Sequence, residues 1–269
     1  MGALSFARDR LARLAPDVGA NMRFFTRLPW PGVEFSPPDF QRIAWAAPLA
    51  GALIGLIGAA ALVVGHAVRL PGLMAGTLAL AAMIVATGAL HEDGLADVAD
   101  GFGGGASRER KLEILRDSRL GTYGVVALVL SLMLRAGAIA ATAAWGYGYA
   151  VGALALCGAL SRLGALAPLA LLPPARTDGS GAGAAAGVST RQLREAAITC
   201  LALAVVLGIG LLGLESALFA LVVGFGAAMA VVGLARRQIG GQTGDVAGAA
   251  AVAAEMGAWT ALLIGFAPA

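Results

Sequence analysis

The feature that most limits what this chain can become is a series of long stretches without charge. Residues 44–65 contain no Asp, Glu, Lys or Arg, and a helix of about 20 apolar residues is long enough to cross a ~30 Å hydrocarbon core. Of the 269 residues, 59% are hydrophobic and only 13% charged, whereas soluble domains carry roughly 25% charged residues. A water-soluble fold has no interior large enough for this apolar surface, so lipid is the expected solvent. The pattern predicts an all-α, polytopic integral membrane helix bundle with about seven transmembrane helices, at 44–65, 70–91, 121–145, 147–172, 196–214, 216–235 and 246–267.

The distribution of charge orients these spans. Six Arg precede the first span, five basic residues fall in 108–119, three in 176–194, and Arg236 with Arg237 follow the sixth span. All of these lie on one face. The other face receives only Arg69, while Arg135 and Arg162 fall inside spans. By the positive-inside rule the N-terminus and the long loops are cytoplasmic, which suits a bacterial inner membrane. The net charge of +3 gives no reason to expect nucleic acid as a partner. Cys157 and Cys200 lie in apolar stretches without metal-ligand spacing and are expected to remain reduced.

Residues 1–43 read as a cytoplasmic amphipathic or interfacial segment, and 44–269 as the transmembrane catalytic domain. Leu4, Ala7, Leu11, Leu14, Val18 and Met22 recur at helical spacing, with Arg8, Arg10 and Arg13 off that stripe. Such a helix either lies on the membrane surface or packs on the rest of the protein. No secretory signal is expected here. Pro29, Pro31, Pro37 and Pro38 make the following segment a connector, and 173–190, rich in Pro, Gly, Ala and Ser, reads as a mobile cytoplasmic loop.

Three polar segments interrupt the apolar pattern. The run HEDGLADVADGF over residues 91–102 follows the second span and contains Asp93, Asp97 and Asp100. On a helix these occupy an arc of about 60°. Their mutual repulsion is relieved either by solvent and basic partners or by a hard divalent cation such as Mg²⁺, Mn²⁺ or Ca²⁺. At a membrane boundary, without an intervening Lys or Arg, the functional reading is the stronger one. His91 adjoins this helix. RDSRLGTYG at 116–124 places Arg116 and Arg119 on one expected helix face, where guanidinium groups suit phosphate, although a positive-inside loop also needs basic residues. GGQTGDVAG at 240–248 is not a Walker A loop. Gly241, Thr243 and Asp245 bring backbone N–H groups to an anion at a helix start, or form a turn in which Thr243 or Asp245 caps the last helix, and the two roles are compatible. Within the spans, Arg162 is the arginine expected to reach substrate and Arg135 the one expected to pair with a carboxylate or to snorkel.

In this order, HEDGLADVADG, RDSRLGTYG, Ser161 with Arg162, and GGQTGDVAGA resemble the cobalamin-5′-phosphate synthase family, and FFTRLP at 24–29 is similar to its entry segment. The resemblance runs from about residue 22 to the last span. It implies attack by a ribose hydroxyl of α-ribazole or its 5′-phosphate on the cobinamide-linked phosphorus of adenosylcobinamide-GDP, with release of GMP. Mg²⁺ is the expected cofactor, on Asp93, Asp97 and Asp100. One of these, or His91, would take the hydroxyl's proton. Arg116 and Arg119, with Arg162, Gly241, Thr243 and Asp245, would bind substrate. Both nucleotides, the lipid bilayer and other late enzymes of the same pathway are the expected partners. A CDP-alcohol phosphotransferase shares the spacing of Asp97, Asp100 and Gly101, but its Ala-Arg pair and later Gly-xxx-Asp-xxx-Asp run are absent. A cation transporter would also place carboxylates near a membrane.

Overall fold

A computed structural model describes residues 3–30, 39–176 and 188–265, and within them all regular structure is helical apart from one isolated bridge. In chain order the helices are α1 (Ala3–Phe25), α2 (Phe40–Ile43), α3 (Ala47–Ala67), α4 (Gly72–Thr87), α5 (Leu90–Gly104), α6 (Arg108–Ile114), α7 (Thr122–Trp145), α8 (Tyr147–Leu171), α9 (Thr190–Leu207), α10 (Leu214–Ile239) and α11 (Gly244–Gly265). Six stretches are long and apolar enough to cross a bilayer: Phe40–Ala67, Thr122–Trp145, Tyr147–Leu171, Thr190–Leu212, Leu214–Ile239 and Gly244–Ile264. Helix suits them because every interior N–H and C=O is then satisfied without water.

The second predicted span departs from expectation. Instead of running to residue 91, α4 stops at Thr87, and α5 leaves it at an angle of 91°. The cause is local. Gly88 (φ 65°) and Ala89 (φ 58°) are consecutive left-handed residues, which end one helix and redirect the chain into another. The 16 residues of α4 span about 24 Å, most of a bilayer core, so α4 is the candidate for a seventh crossing, and the chain bends sharply from it into α5. The fifth predicted span also starts earlier than expected, at Thr190, because Ser189 and Gln192 form a capping box.

At the centre, α8 is buried at nearly every position from Ala150 to Pro168. Small residues allow this. A Cβ at Gly51 would lie 2.1 Å from the carbonyl oxygen of Gly158, and one at Gly55 2.1 Å from that of Leu154, so α3 and α8 touch backbone to backbone as small-xxx-small surfaces do. Large apolar side chains such as Val85, Leu130, Met133, Val206 and Val222 point outward, as expected where the solvent is lipid. Cys157 and Cys200 are buried and free.

The second half of α1 packs on the protein. Val18, Met22 and Phe25 are buried. Asp17 accepts from Trp45 Nε1 (2.9 Å) and pairs with Arg42 (3.1 Å), while Asn21 donates to the carbonyl of Ile43 (2.9 Å). Leu14 stays exposed. The side chains of Leu4, Ala7 and Leu11, the prolines at 31, 37 and 38, and residues 177–187 of the predicted loop lie outside the described residues.

Candidate active site at one end of the bundle

One end of the molecule gathers the three polar segments. The helix α5 lies between α7 and α11, and its approach to α11 depends on glycine. A Cβ at Gly94 would sit 2.7 Å from the carbonyl oxygen of Asp245 and 3.1 Å from Cα of Gly248. With no side chain in the way, Asp245 enters the field of Asp93 and Asp97. Asp93 is exposed and Asp97 half-buried, whereas His91, Glu92 and Asp100 are buried. Burial, then the nearby charges of Asp93, Asp245 and Asp100, push the Asp97 carboxyl up to about 7.

Asp100 faces a different neighbour. Its Oδ2 accepts from the N–H of Gly121 (2.7 Å) and its Oδ1 from that of Gly124 (2.9 Å), so it caps the positive start of α7. The two glycines of RDSRLGTYG make room for it, since a Cβ on either would fall within 2.5 Å of a carboxylate oxygen. The three predicted ligands therefore do not converge. Among the described residues no three His, Cys, Asp or Glu side chains are arranged to hold an ion. The donor chemistry nonetheless suits Mg²⁺, which commonly binds through one or two carboxylates, keeps several waters and takes further oxygens from substrate phosphates. Asp93 and Asp97, with Asp245 in their electrostatic field, supply donors of that type rather than an all-protein cage.

The arginines are also rearranged relative to the sequence reading. Since α6 ends at Ile114, Arg116 and Arg119 lie in a turn and share no helix face. Arg119 is exposed and grips Asp117, with Nε 2.9 and 3.0 Å from the two carboxylate oxygens. That contact holds the Asp117 carboxyl down at about 2. Arg116 instead lines an open cleft of about 520 Å³ with Arg108, Glu109, Glu113, Arg176 and the backbone at 174–175. Arg108 ties this end together, donating from Nε to the Ile239 carbonyl (2.8 Å) and from Nη2 to that of Ala175 (2.9 Å).

In the GGQTGD turn the capping alternative is realised. Thr243 Oγ1 accepts from the N–H of Val246 and donates to Asp245 Oδ2, both at 3.2 Å. Gly241 permits close approach to protein: a parallel bridge joins Pro174 to Gln242, and a Cβ at Gly241 would lie 2.6 Å from the Pro173 carbonyl oxygen.

Beneath α5 lies a cluster of charges that the motifs did not reveal. Arg135 Nη1 is 2.8 Å from Glu92 Oε1 and 3.4 Å from Glu255 Oε2, so the expectation that Arg135 pairs with a carboxylate holds. Arg162 is 2% exposed and enclosed by the bundle. It donates to Ser161 Oγ (3.2 Å) and stands 5.6 Å from the ring centroid of Phe25, a residue of the FFTRLP segment. His91 meets the same ring edge-on at 5.8 Å. A cavity scarcely larger than one water lies among His91, Glu92, Arg135, Arg162 and Glu255, and Nε and Nη2 of both arginines have no hydrogen-bond partner in the protein. Polar walls of this kind suit an internal water. Glu255 had a sequence signal: it is the one carboxylate within the apolar run 246–267, in a chain with two arginines inside spans.

A sequence model of the cobalamin-5-phosphate synthase family matches residues 17–263. A protein of Azorhizobium caulinodans described as adenosylcobinamide-GDP ribazoletransferase is 48% identical over 244 residues, covering 89% of this chain and 92% of the relative. Proteins of the same description from Xanthobacter autotrophicus and Bradyrhizobium diazoefficiens are 45% and 47% identical, over 89% and 90% of this chain and 92% and 90% of their own lengths. No solved structure matches the chain.

Proposed function

The chain belongs to the cobalamin-5-phosphate synthase family, and from that premise we infer that it is a membrane transferase performing the adenosylcobinamide-GDP ribazoletransferase step of cobalamin biosynthesis. α-Ribazole or its 5′-phosphate is joined to the cobinamide-linked phosphorus, and GMP leaves. The observation that carries the site is the contact of Gly94 with the start of α11, which brings carboxylates from two distant motifs together at one end of the bundle.

Asp93, Asp97 and Asp245 would hold Mg²⁺, with waters and substrate oxygens completing its shell. When bound, the ion supplies positive charge beside the diphosphate. The chain's own residues supply the rest. Arg116, in the cleft beside α6, contributes a guanidinium for phosphate, and Arg119, exposed and held by Asp117, offers a second. The first turn of α11 offers backbone N–H groups to an anion, and Gly241 and Thr243 fix that turn. His91 is on the buried face of α5, so the acceptor of the attacking hydroxyl's proton is Asp93 or Asp97. Arg162 serves this site from within, through Phe25 and the buried charges, rather than by contact with bulk substrate. The charge asymmetry of the loops supports a cytoplasmic position for this end, where soluble nucleotides and other enzymes of the late pathway have access.

Purified membranes given adenosylcobinamide-GDP, α-ribazole 5′-phosphate and Mg²⁺ should form the corrin product and GMP in equal amounts. Folded protein that yields neither across Mg²⁺, Mn²⁺ and Ca²⁺ refutes the assignment. Cation flux in vesicles without GMP would point to a carrier.

A further inference from the structure

We propose that Arg135 is a positioning residue of the reaction: its buried guanidinium links Glu92 on α5 to Glu255 on α11 and thereby sets the two acidic helices against each other. This rests on the reading of Asp93, Asp97 and Asp245 as the reacting end of the site.

The geometry is specific. Arg135 rises from α7, 2% exposed, and its Nη1 lies 2.8 Å from Glu92 and 3.4 Å from Glu255. Glu92 immediately precedes Asp93. Successive helical residues are about 100° apart, so holding Glu92 inward turns Asp93 outward. Glu255 lies on the same helix as Asp245. One guanidinium therefore restrains both helices whose carboxylates repel each other at the surface. Without such a restraint, repulsion among Asp93, Asp97 and Asp245 is relieved by rolling α5 or by parting it from α11, because the Gly94 contact has no side chain to interlock.

Stability gives little reason for this arrangement. Removing two carboxylates and two guanidiniums from water is expensive, and a buried ion pair is often no more stabilising than apolar residues of equal volume. A charged network buried in a membrane bundle contributes direction, since hydrogen-bonded ions have one geometry where apolar side chains have several. The formal charges also balance, two guanidiniums against two carboxylates, with Glu92 and Glu255 both acting electrostatically on Arg135 and Arg162.

This balance allows a test that does not strand a buried charge. In the double variant Glu92→Met/Arg135→Met, Glu255 keeps Arg162 as a counter-charge. Nitroxide labels at Ala99 on α5 and Glu215 on α10 report by pulsed EPR where α5 sits, without substrate. The double variant should insert, its distance distribution should broaden, kcat should fall at least tenfold, about 1.4 kcal/mol, and the Mg²⁺ concentration for half-maximal rate should rise at least threefold. Unchanged width, or broadening with wild-type turnover, overturns the proposal. Should the double variant fail to insert, Arg135→Lys keeps the charge but loses the fork and is expected to shift width and kcat the same way; wild-type behaviour there overturns the proposal equally. If the ribazoletransferase reading itself is wrong, wild-type protein forms no GMP, while the EPR widths still report whether Arg135 places α5.

Discussion

Replacing Asp100 by Asn separates the anchor of α5 from its acidic face. In the native protein the two carboxylate oxygens accept from Gly121 N–H at 2.7 Å and from Gly124 N–H at 2.9 Å. An amide offers an oxygen to one of these and an NH₂ group to the other, so one N–H loses its acceptor and meets a donor. Losing the charge of a buried carboxylate at a helix start costs up to about 2 kcal/mol, and leaving a buried N–H unsatisfied about 1–3 kcal/mol. The two terms overlap, which gives a loss of roughly 2–4 kcal/mol. For a chain of this size, 1 kcal/mol corresponds to about 2–4 °C, so the melting temperature in detergent should fall by roughly 5–15 °C. The Mg²⁺ concentration for half-maximal rate should change little in the protein that remains folded. Asp97→Asn should do the reverse, because it removes a repelled carboxylate: melting is unchanged or raised, and the Mg²⁺ dependence shifts. Thermal melting and Mg²⁺ titration of both variants decide the matter. If Asp100→Asn melts with the wild type but loses its response to Mg²⁺, Asp100 is a ligand and the capping argument fails.

The acidic site should also couple metal to protons. With the Asp97 carboxyl at about 7, a cation binding there displaces a proton at lower pH, so Mg²⁺ affinity should climb as pH rises from 6 toward 7 and level off above it. A pH-independent affinity in calorimetric titrations contradicts this. In Gly94→Ala the new Cβ would meet Asp245 and Gly248 backbone at 2.7–3.1 Å, where no rotamer offers escape. Insertion should survive, while Mg²⁺-stimulated turnover drops at least tenfold, roughly 1.4 kcal/mol; normal kinetics would show that the α5 and α11 contact is unimportant. Finally, cysteines at Ser118 and Gly240 should react with an impermeant thiol reagent from the cytoplasmic side and one at Glu215 from the opposite side. The reverse pattern would invert the proposed orientation.

Much of this protein was legible without coordinates because membrane insertion is governed by local properties. An uncharged run of sufficient length suits lipid wherever it occurs, and the bias of basic residues supports an orientation that the labelling experiment tests. The motifs likewise revealed which segments carry polar chemistry, and the cost of an isolated charge in an apolar span left Arg135 either to pair or to snorkel, of which the structure realises pairing. Boundaries were less legible. Gly88 and Ala89 look like two more small residues in an apolar helix, and only their left-handed conformation shows that α4 ends there and α5 turns through 91°.

Local pattern alone was enough for the solvent, the helical class, the approximate number of candidate crossings and the family. The tertiary structure alone decided the company each polar side chain keeps. Asp93, Asp97 and Asp100 share a helical arc, yet the packing of α5 leaves the first exposed, the second near Asp245 and the third capping α7. Arg116 and Arg119 part because α6 ends before them. Glu92 and Glu255, far apart in the chain, share the guanidinium of Arg135. Periodicity fixes direction around one helix axis, but a contact depends on how two helices approach, and here glycines spaced far apart in the chain decide how closely they do.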